Sequence, residues 1–261
     1  MLSRMLMMSV CTLLVFSGCT HFVDGALRKD VTDDGSMAQS GNVRADVEQA
    51  DSISAGAVQG NAGTDIDDDS IDPNTEAFVE MYGPTIKRYA ERYGLDWRLV
   101  LATMKQESGF SPTAVSHRGA TGLMQIMPVT SEELSRIFKV EDISHPHDNI
   151  RGGVYYLRKL YNLFPGADEG DRIRLALAAY NAGIGRIYDA QELAAHLDQD
   201  PMAWESVKSA LPLLSRDNQE LHRTVWSQDR PRCGWFRNPG ETLKYVENVM
   251  NNYDEYRLMF N

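Results

Sequence analysis

The chain has 261 residues, a hydrophobic fraction of 43% and a formal net charge of −11. That length suits one globular domain plus extra segments, and the acidic balance speaks against nucleic acid as a partner. Three cysteines (Cys11, Cys19 and Cys233) and six histidines leave little material for a disulfide framework or a metal centre.

The first element is a leader. Arg4 precedes an apolar run from Met5 to Phe16, and Ser17-Gly18-Cys19 follows. A positive residue, a short apolar run and small residues make a secretory signal peptide over 1–18. The run is too short to span a bilayer as a helix. Phe16-Ser17-Gly18-Cys19 resembles a bacterial lipobox, which makes Cys19 the expected lipidation site. The alternative is a plain cleaved signal with an incidental Cys19. With Cys11 removed and Cys19 lipidated, only Cys233 remains and no internal disulfide forms. Thr20, not an Asp, follows the lipidated position, so the expected location is the periplasmic face of the outer membrane.

Residues 19–72 read as an acidic disordered linker. Between 20 and 72 stand twelve acidic and three basic side chains, and Phe22 is the only aromatic. Such a tract buries too little apolar surface to fold. Asp65-Ile-Asp-Asp-Asp lacks the glycine and distal Glu of a calcium loop. The histidines show no i, i+4 ligand pair, and His145-Pro-His147 reads as a solvated loop, so no metal is expected.

Residues 73–261 read as one domain, helical throughout. A first helix runs over Ala77–Tyr93 with a bend at Gly83-Pro84 and a stop at Gly94. A second runs over Asp96–Ser108 with Asp96 as N-cap. Thr130-Ser-Glu-Glu133 reads as a capping box opening a third. Asp148 caps a fourth and Asp171 a fifth, which Gly183 and Gly185 end. Asp200-Pro201 begins another element. Ser215–Gly240 reads as a long loop over a site, and Glu241–Tyr256 as the last helix.

The second helix carries the chemistry. Trp97, Val100 and Met104 recur at helical spacing, and Glu107 falls on the same apolar stripe. Burial disfavours the charged carboxylate and raises its pKa. An acid protonated near neutral pH serves as a general acid. The ordinary alternative is a Glu that ends its helix in solvent. After it comes Gly119-Ala-Thr-Gly122-Leu-Met124-Gln125. There Gly122 allows close backbone approach to a ligand, Met124 offers an apolar surface, and Gln125 offers an amide donor and acceptor. The alternative is a connecting loop with Leu123 and Met124 in the core. Tyr180-Asn181 ends the fifth helix, either as a polar cluster for a ligand or as a C-cap with Tyr180 in the core.

In order along the chain stand Glu107-Ser108-Gly-Phe110, Gly119-Ala120-x-Gly122-Leu-Met-Gln125-x-Met127-Pro128, Asn149-Ile150 with Gly153-x-x-Tyr156-Leu157, Ala179-Tyr180-Asn181-Ala-Gly183, and Glu241-Thr-x-x-Tyr245-Val246. Together these blocks resemble the soluble lytic transglycosylase (SLT) family. Trp204–Ser215 is similar to the catalytic module of its membrane-bound F branch, with the acidic tract standing where that branch has a sensor domain. The resemblance implies an all-α, lysozyme-like (goose-type/SLT) fold and no cofactor. It implies peptidoglycan glycan strands as substrate, a membrane reached through the lipid at Cys19, and leaves protein partners unknown. It implies cleavage of the β-1,4 bond from N-acetylmuramic acid to N-acetylglucosamine, with Glu107 as acid and then base and a 1,6-anhydro product. Ser108, Gly122, Met124, Gln125, Tyr180, Asn181 and Tyr245 are the residues it implies for substrate binding, although Tyr245 also reads as core. Glu241 reads as structural. A goose-lysozyme-like hydrolase and a non-enzymatic peptidoglycan-binding lipoprotein are the other readings.

Overall fold

The computed structural model describes residues 72–260; the expected signal peptide, Cys19 and all of the acidic tract except Asp72 lie outside them. Asp72 itself is the N-cap of the first helix, not linker. Its carboxylate accepts from the Asn74 backbone N–H and the Thr75 hydroxyl, and Pro73 occupies the first helical position. Among the described residues the order is α1 (Pro73–Tyr93), α2 (Trp97–Ser108), α3 (Pro128–Phe138), α4 (Pro146–Tyr161), α5 (Glu169–Ala182), α6 (Ile184–His196), α7 (Trp204–Ala210), α8 (Gln219–Trp226) and α9 (Pro239–Met259). Two short 3₁₀ segments, Leu211–Leu214 and Arg216–Asn218, join α7 to α8. Extended pairing among the described residues is limited to single bridges, Val115 with Thr121 and Thr121 with Ile126.

α5 is the centre of the packing. It touches α4, α6, α7 and α9, while α2 lies along α9 and α1 along α4. Leu175, Ala176, Leu177, Ala178 and Ala179 are all buried, so α5 is covered on every side. Ala at three of these five positions lets neighbouring helices approach closely. α2 contributes Val100, Leu101 and Met104, and α4 contributes Ile150, Val154 and Leu157, to one continuous core.

Several helix boundaries differ from those expected. Asp96 caps α2 as read, accepting from Arg98 N–H at 2.9 Å. α3 instead starts at Pro128, because a proline at the first position presets the backbone before Thr130 is reached. α4 likewise starts at Pro146, leaving Asp148 inside the first turn. Asp168, not Asp171, caps α5. Gly183 ends α5 with φ of +88°, but Gly185 lies within α6 instead of stopping a helix. The expected loop over 215–240 contains α8, whose Trp226 and His222 are buried.

Candidate active site

Glu107 stands in the last turn of α2, one turn beyond the fully buried Met104. Gly109 then closes the helix in the left-handed conformation. Phe110 follows with φ of +71°, a cost for a non-glycine residue. It is held there by stacking on Phe78 of α1 at 4.2 Å. The turn after Glu107 is thereby tied to the core.

Because α9 lies along α2, Tyr245 reaches Glu107. Its hydroxyl donates to Oε1 at 2.6 Å. Burial lifts the Glu107 carboxyl to about 7, and the Tyr245 hydrogen bond offsets part of that rise. Tyr245 is itself buried, and burial together with the neighbouring Glu107 holds its phenol well above the usual value. It therefore stays a hydrogen-bond donor at neutral pH. Tyr245 packs in the core, as one of its two readings has it, and from there touches the Glu107 carboxyl.

The end of α5 supplies Tyr180 and Asn181. The Tyr180 hydroxyl donates to the Met124 carbonyl at 2.7 Å, and its ring meets Tyr156 edge-on at 5.5 Å. The Asn181 amide oxygen accepts from the Thr242 hydroxyl at 2.7 Å. That pins the amide and leaves its nitrogen as a donor, without a partner among the described residues.

The loop between α2 and α3 is organised by a residue 25 positions further on. Asn149, fully buried at the start of α4, accepts from Met124 N–H at 2.8 Å and donates to the Thr121 and Ile143 carbonyls. Gly122 has φ of +77°, and a Cβ there would lie 2.5 Å from the Asn149 amide. The close approach that requires this glycine is to Asn149, not to a ligand. The Met124 side chain is fully buried against Gly153, so it offers no surface to a substrate. Gln125 stands at φ of +43°, and its side-chain nitrogen donates to both the Ala114 and Gly122 carbonyls. Both donors are spent on the loop, and Oε1 alone remains for a ligand. The Ser108 hydroxyl bonds back to the Met104 carbonyl at 3.3 Å.

Glu107, Gln125, Tyr180 and Asn181 line one cavity of about 460 Å³, together with Arg118 and Glu241. Ser108, Gly122, Met124 and Tyr245 do not line it. Glu241, read from sequence as structural, faces the same space and is held by the Asn238 amide at 3.1 Å. Arg118 went unread because a lone basic residue in a loop carries no spacing signal. A second cavity, of about 220 Å³, continues past Tyr156 and Gly183, and a third, of about 770 Å³, past Arg186 and Arg237; Arg118 and Asn181 border all three. No cluster of three or more metal-ligating side chains occurs among the described residues.

Comparison with known proteins follows the same outline. Residues 84–202 match the family described as the transglycosylase SLT domain. Membrane-bound lytic murein transglycosylase F of Desulfosudis oleivorans is 38% identical over 177 residues, which are 67% of this chain and 36% of that protein. The protein of that name in Shewanella pealeana is 34% identical over 189 residues, covering 69% and 36%. The chain thus spans about a third of the length of the curated relatives it matches. Among solved structures, an inactive Glu-to-Gln mutant of lytic transglycosylase Slt from Pseudomonas aeruginosa superposes with a TM-score of 0.50 at 29% identity, over 70% of this chain and 25% of that one. The 70 kDa soluble lytic transglycosylase of Escherichia coli gives 0.50 at 25% identity, over 72% and 26%. The expected all-α, lysozyme-like architecture is the observed one. The matched segment holds Glu107, Gln125, Tyr180 and Asn181, whereas Glu241 and Tyr245 come from α9 beyond it. Residues 84–202 are thereby identified with the transglycosylase SLT domain family.

Proposed function

We propose that this chain is a peptidoglycan lytic transglycosylase. It cleaves the β-1,4 bond from N-acetylmuramic acid to N-acetylglucosamine and leaves 1,6-anhydro ends during cell-wall remodelling. The observation that carries this reading is the Glu107 carboxyl, raised to about 7 and hydrogen-bonded by Tyr245 beside a cleft. At neutral pH a large fraction of it holds a proton. It donates that proton to the leaving oxygen as positive charge develops at the anomeric carbon. The resulting carboxylate, stabilised by the Tyr245 hydroxyl, then takes the proton of the sugar's own 6-hydroxyl. That oxygen attacks the anomeric carbon and closes the anhydro ring. Intramolecular attack of this kind gains up to about 7–11 kcal/mol from its effective molarity. The Gln125 oxygen is free to accept from the acetamido N–H, and the Asn181 nitrogen to donate to a carbonyl or hydroxyl. While its hydroxyl donates to the Met104 carbonyl, Ser108 serves a sugar only as an acceptor.

The inactive Glu-to-Gln mutant of the Pseudomonas aeruginosa neighbour supports an essential glutamate. The relatives are named membrane-bound. No helix among the described residues is long and apolar enough to cross a membrane. Lipidation of Cys19 at the outer membrane, with 19–71 as tether for the 72–261 domain, is the anchoring we assign. Glu107→Gln, assayed by turbidity clearing of isolated cell walls, abolishes activity while binding to the walls persists. Clearing at the wild-type rate would remove Glu107 from the mechanism.

One observation favours a second reading. Glu241 lines the same cavity as Glu107. A second carboxylate that activates water makes a hydrolase, and the product ends distinguish the two reactions.

A further inference from the structure

Asn181 borders the cavity of Glu107 and the smaller one that continues past Tyr156. It stands exposed at the end of α5. An asparagine amide turns about a broad torsion, and its oxygen and nitrogen ends are of similar size. An exposed one presents either end to a ligand, and the choice falls to whatever holds the other end.

Here the holder is Thr242, 61 positions away in α9 and outside the segment that matches the SLT family. Its hydroxyl meets Asn181 Oδ1 at 2.7 Å, the length of an O–H···O bond and shorter than the usual N–H···O. Thr242 is only 2% exposed. A buried hydroxyl proton without an acceptor is costly, and the Asn181 oxygen supplies that acceptor. The hydroxyl cannot follow a turning amide, because α9 is fastened on the same side at three-residue steps. Tyr245 bonds to Glu107, and Asn248 donates to the Gln106 side chain at 3.1 Å. Val246 and Val249 beside them are buried.

We infer that Thr242 is a positioning residue for this reaction: it holds the Asn181 oxygen, so that the nitrogen faces the bound glycan. The inference rests on the transglycosylase reading above and adds to it a residue that lines none of the three cavities. Gln125 is fixed in the opposite sense. Its nitrogen is spent on the Ala114 and Gly122 carbonyls, and its oxygen alone is open. The cavity of Glu107 therefore holds one set acceptor from the loop after α2 and one set donor from α5. With its amide reversed, Asn181 would offer a second acceptor, and a glycan oxygen there would lose its bond and face a lone pair.

The test measures kcat and KM of the full chain on solubilised peptidoglycan strands, with a pH–rate profile alongside. Thr242→Val keeps the outline of the side chain and removes the hydroxyl. It raises KM about three- to tenfold, the effect of losing one neutral hydrogen bond, and leaves kcat within about twofold. The decline of the rate above about pH 7 stays in place, because the bond from Tyr245 to Glu107 is untouched. Thr242→Ser retains the hydroxyl and restores KM. In an Asn181→Ala background, Thr242→Val raises KM no further. Asn181→Asp, which exchanges the nitrogen for a second acceptor, raises KM as much as Asn181→Ala does. A wild-type KM in Thr242→Val, or an equal rise with and without the Asn181 amide, overturns the positioning role and leaves the transglycosylase reading standing. A displaced pH limb with unchanged KM ties Thr242 to Tyr245 instead and overturns the role likewise. If Thr242→Val does not fold, the other two variants decide: a wild-type KM in Asn181→Asp, or a raised one in Thr242→Ser, overturns the role. A wild type inert on the strands overturns the transglycosylase reading and this inference with it.

Discussion

The Tyr245 hydroxyl meets Glu107 Oε1 at 2.6 Å across 138 positions of sequence. Its effect on the carboxyl opposes that of burial: desolvation favours the neutral acid, while this hydrogen bond favours the anion. The pair therefore holds Glu107 where both forms are accessible, as a group that must first give and then take a proton requires.

Tyr245→Phe removes the hydrogen bond that lowers the Glu107 pKa. The pH above which the rate declines therefore moves upward from about 7. The same change removes stabilisation of the carboxylate formed after the first proton transfer, and kcat falls about ten- to a hundredfold. A pH–rate profile of the variant reads both effects. A decline that stays at the wild-type pH would show that the contact does not tune the acid.

Glu107→Gln separates function from stability. The wild-type carboxyl has a folded pKa of about 7 against 4.5 for an exposed glutamate. Between those values the folded state holds the proton more tightly than the unfolded chain, so stability declines as pH rises from 4.5 to 7 and stays reduced above it. Allowing for the partial exposure of the group, the penalty is about 2 kcal/mol. The glutamine variant escapes it. Its melting temperature exceeds the wild type's by roughly 4–8 °C at pH 8, and the two coincide near pH 4.5. An equal difference at both pH values would place the effect in packing instead.

Asn149→Ala strands three backbone groups: the Met124 N–H and the carbonyls of Thr121 and Ile143. Leaving buried polar groups unpaired costs about 1–3 kcal/mol each, so denaturant melts show a loss of about 3 kcal/mol after partial relaxation. The loop that carries Gln125 loosens, and KM rises more than kcat falls. Unchanged stability would mean that the loop is held by other bonds.

What could be read beforehand was local. Asp96 and Glu107 were legible because a cap and an i, i+3, i+7 stripe lie within one helix. The starts of α3 and α4 were misplaced where a proline presets the first turn ahead of the polar cap. α6 was hidden because Gly185 counts as a breaker, and here it costs less than the burial of Ile187, Ala190 and Leu193 returns. Gly122 and Met124 were assigned to the ligand because their true neighbours, Asn149 and Gly153, are about 30 residues away. Gln125 lines the cavity of Glu107, but its own loop consumes the donors that the sequence offered a ligand. Glu241 needed the fold itself, since the packing of α9 against α2 and α5 brings it to the cavity of Glu107, and Arg118 needed the folded loop between α2 and α3.

The central claim is that Glu107 serves as both acid and base and that the sugar's own 6-hydroxyl, not water, attacks. Mass analysis of the muropeptides released by the purified chain, before and after borohydride treatment, tests it most directly. The account predicts new muramyl ends lighter by one water than hydrolysed ends and unchanged by borohydride. Reducing ends that gain two hydrogens on that treatment would contradict it, and would assign Glu241 the activation of water.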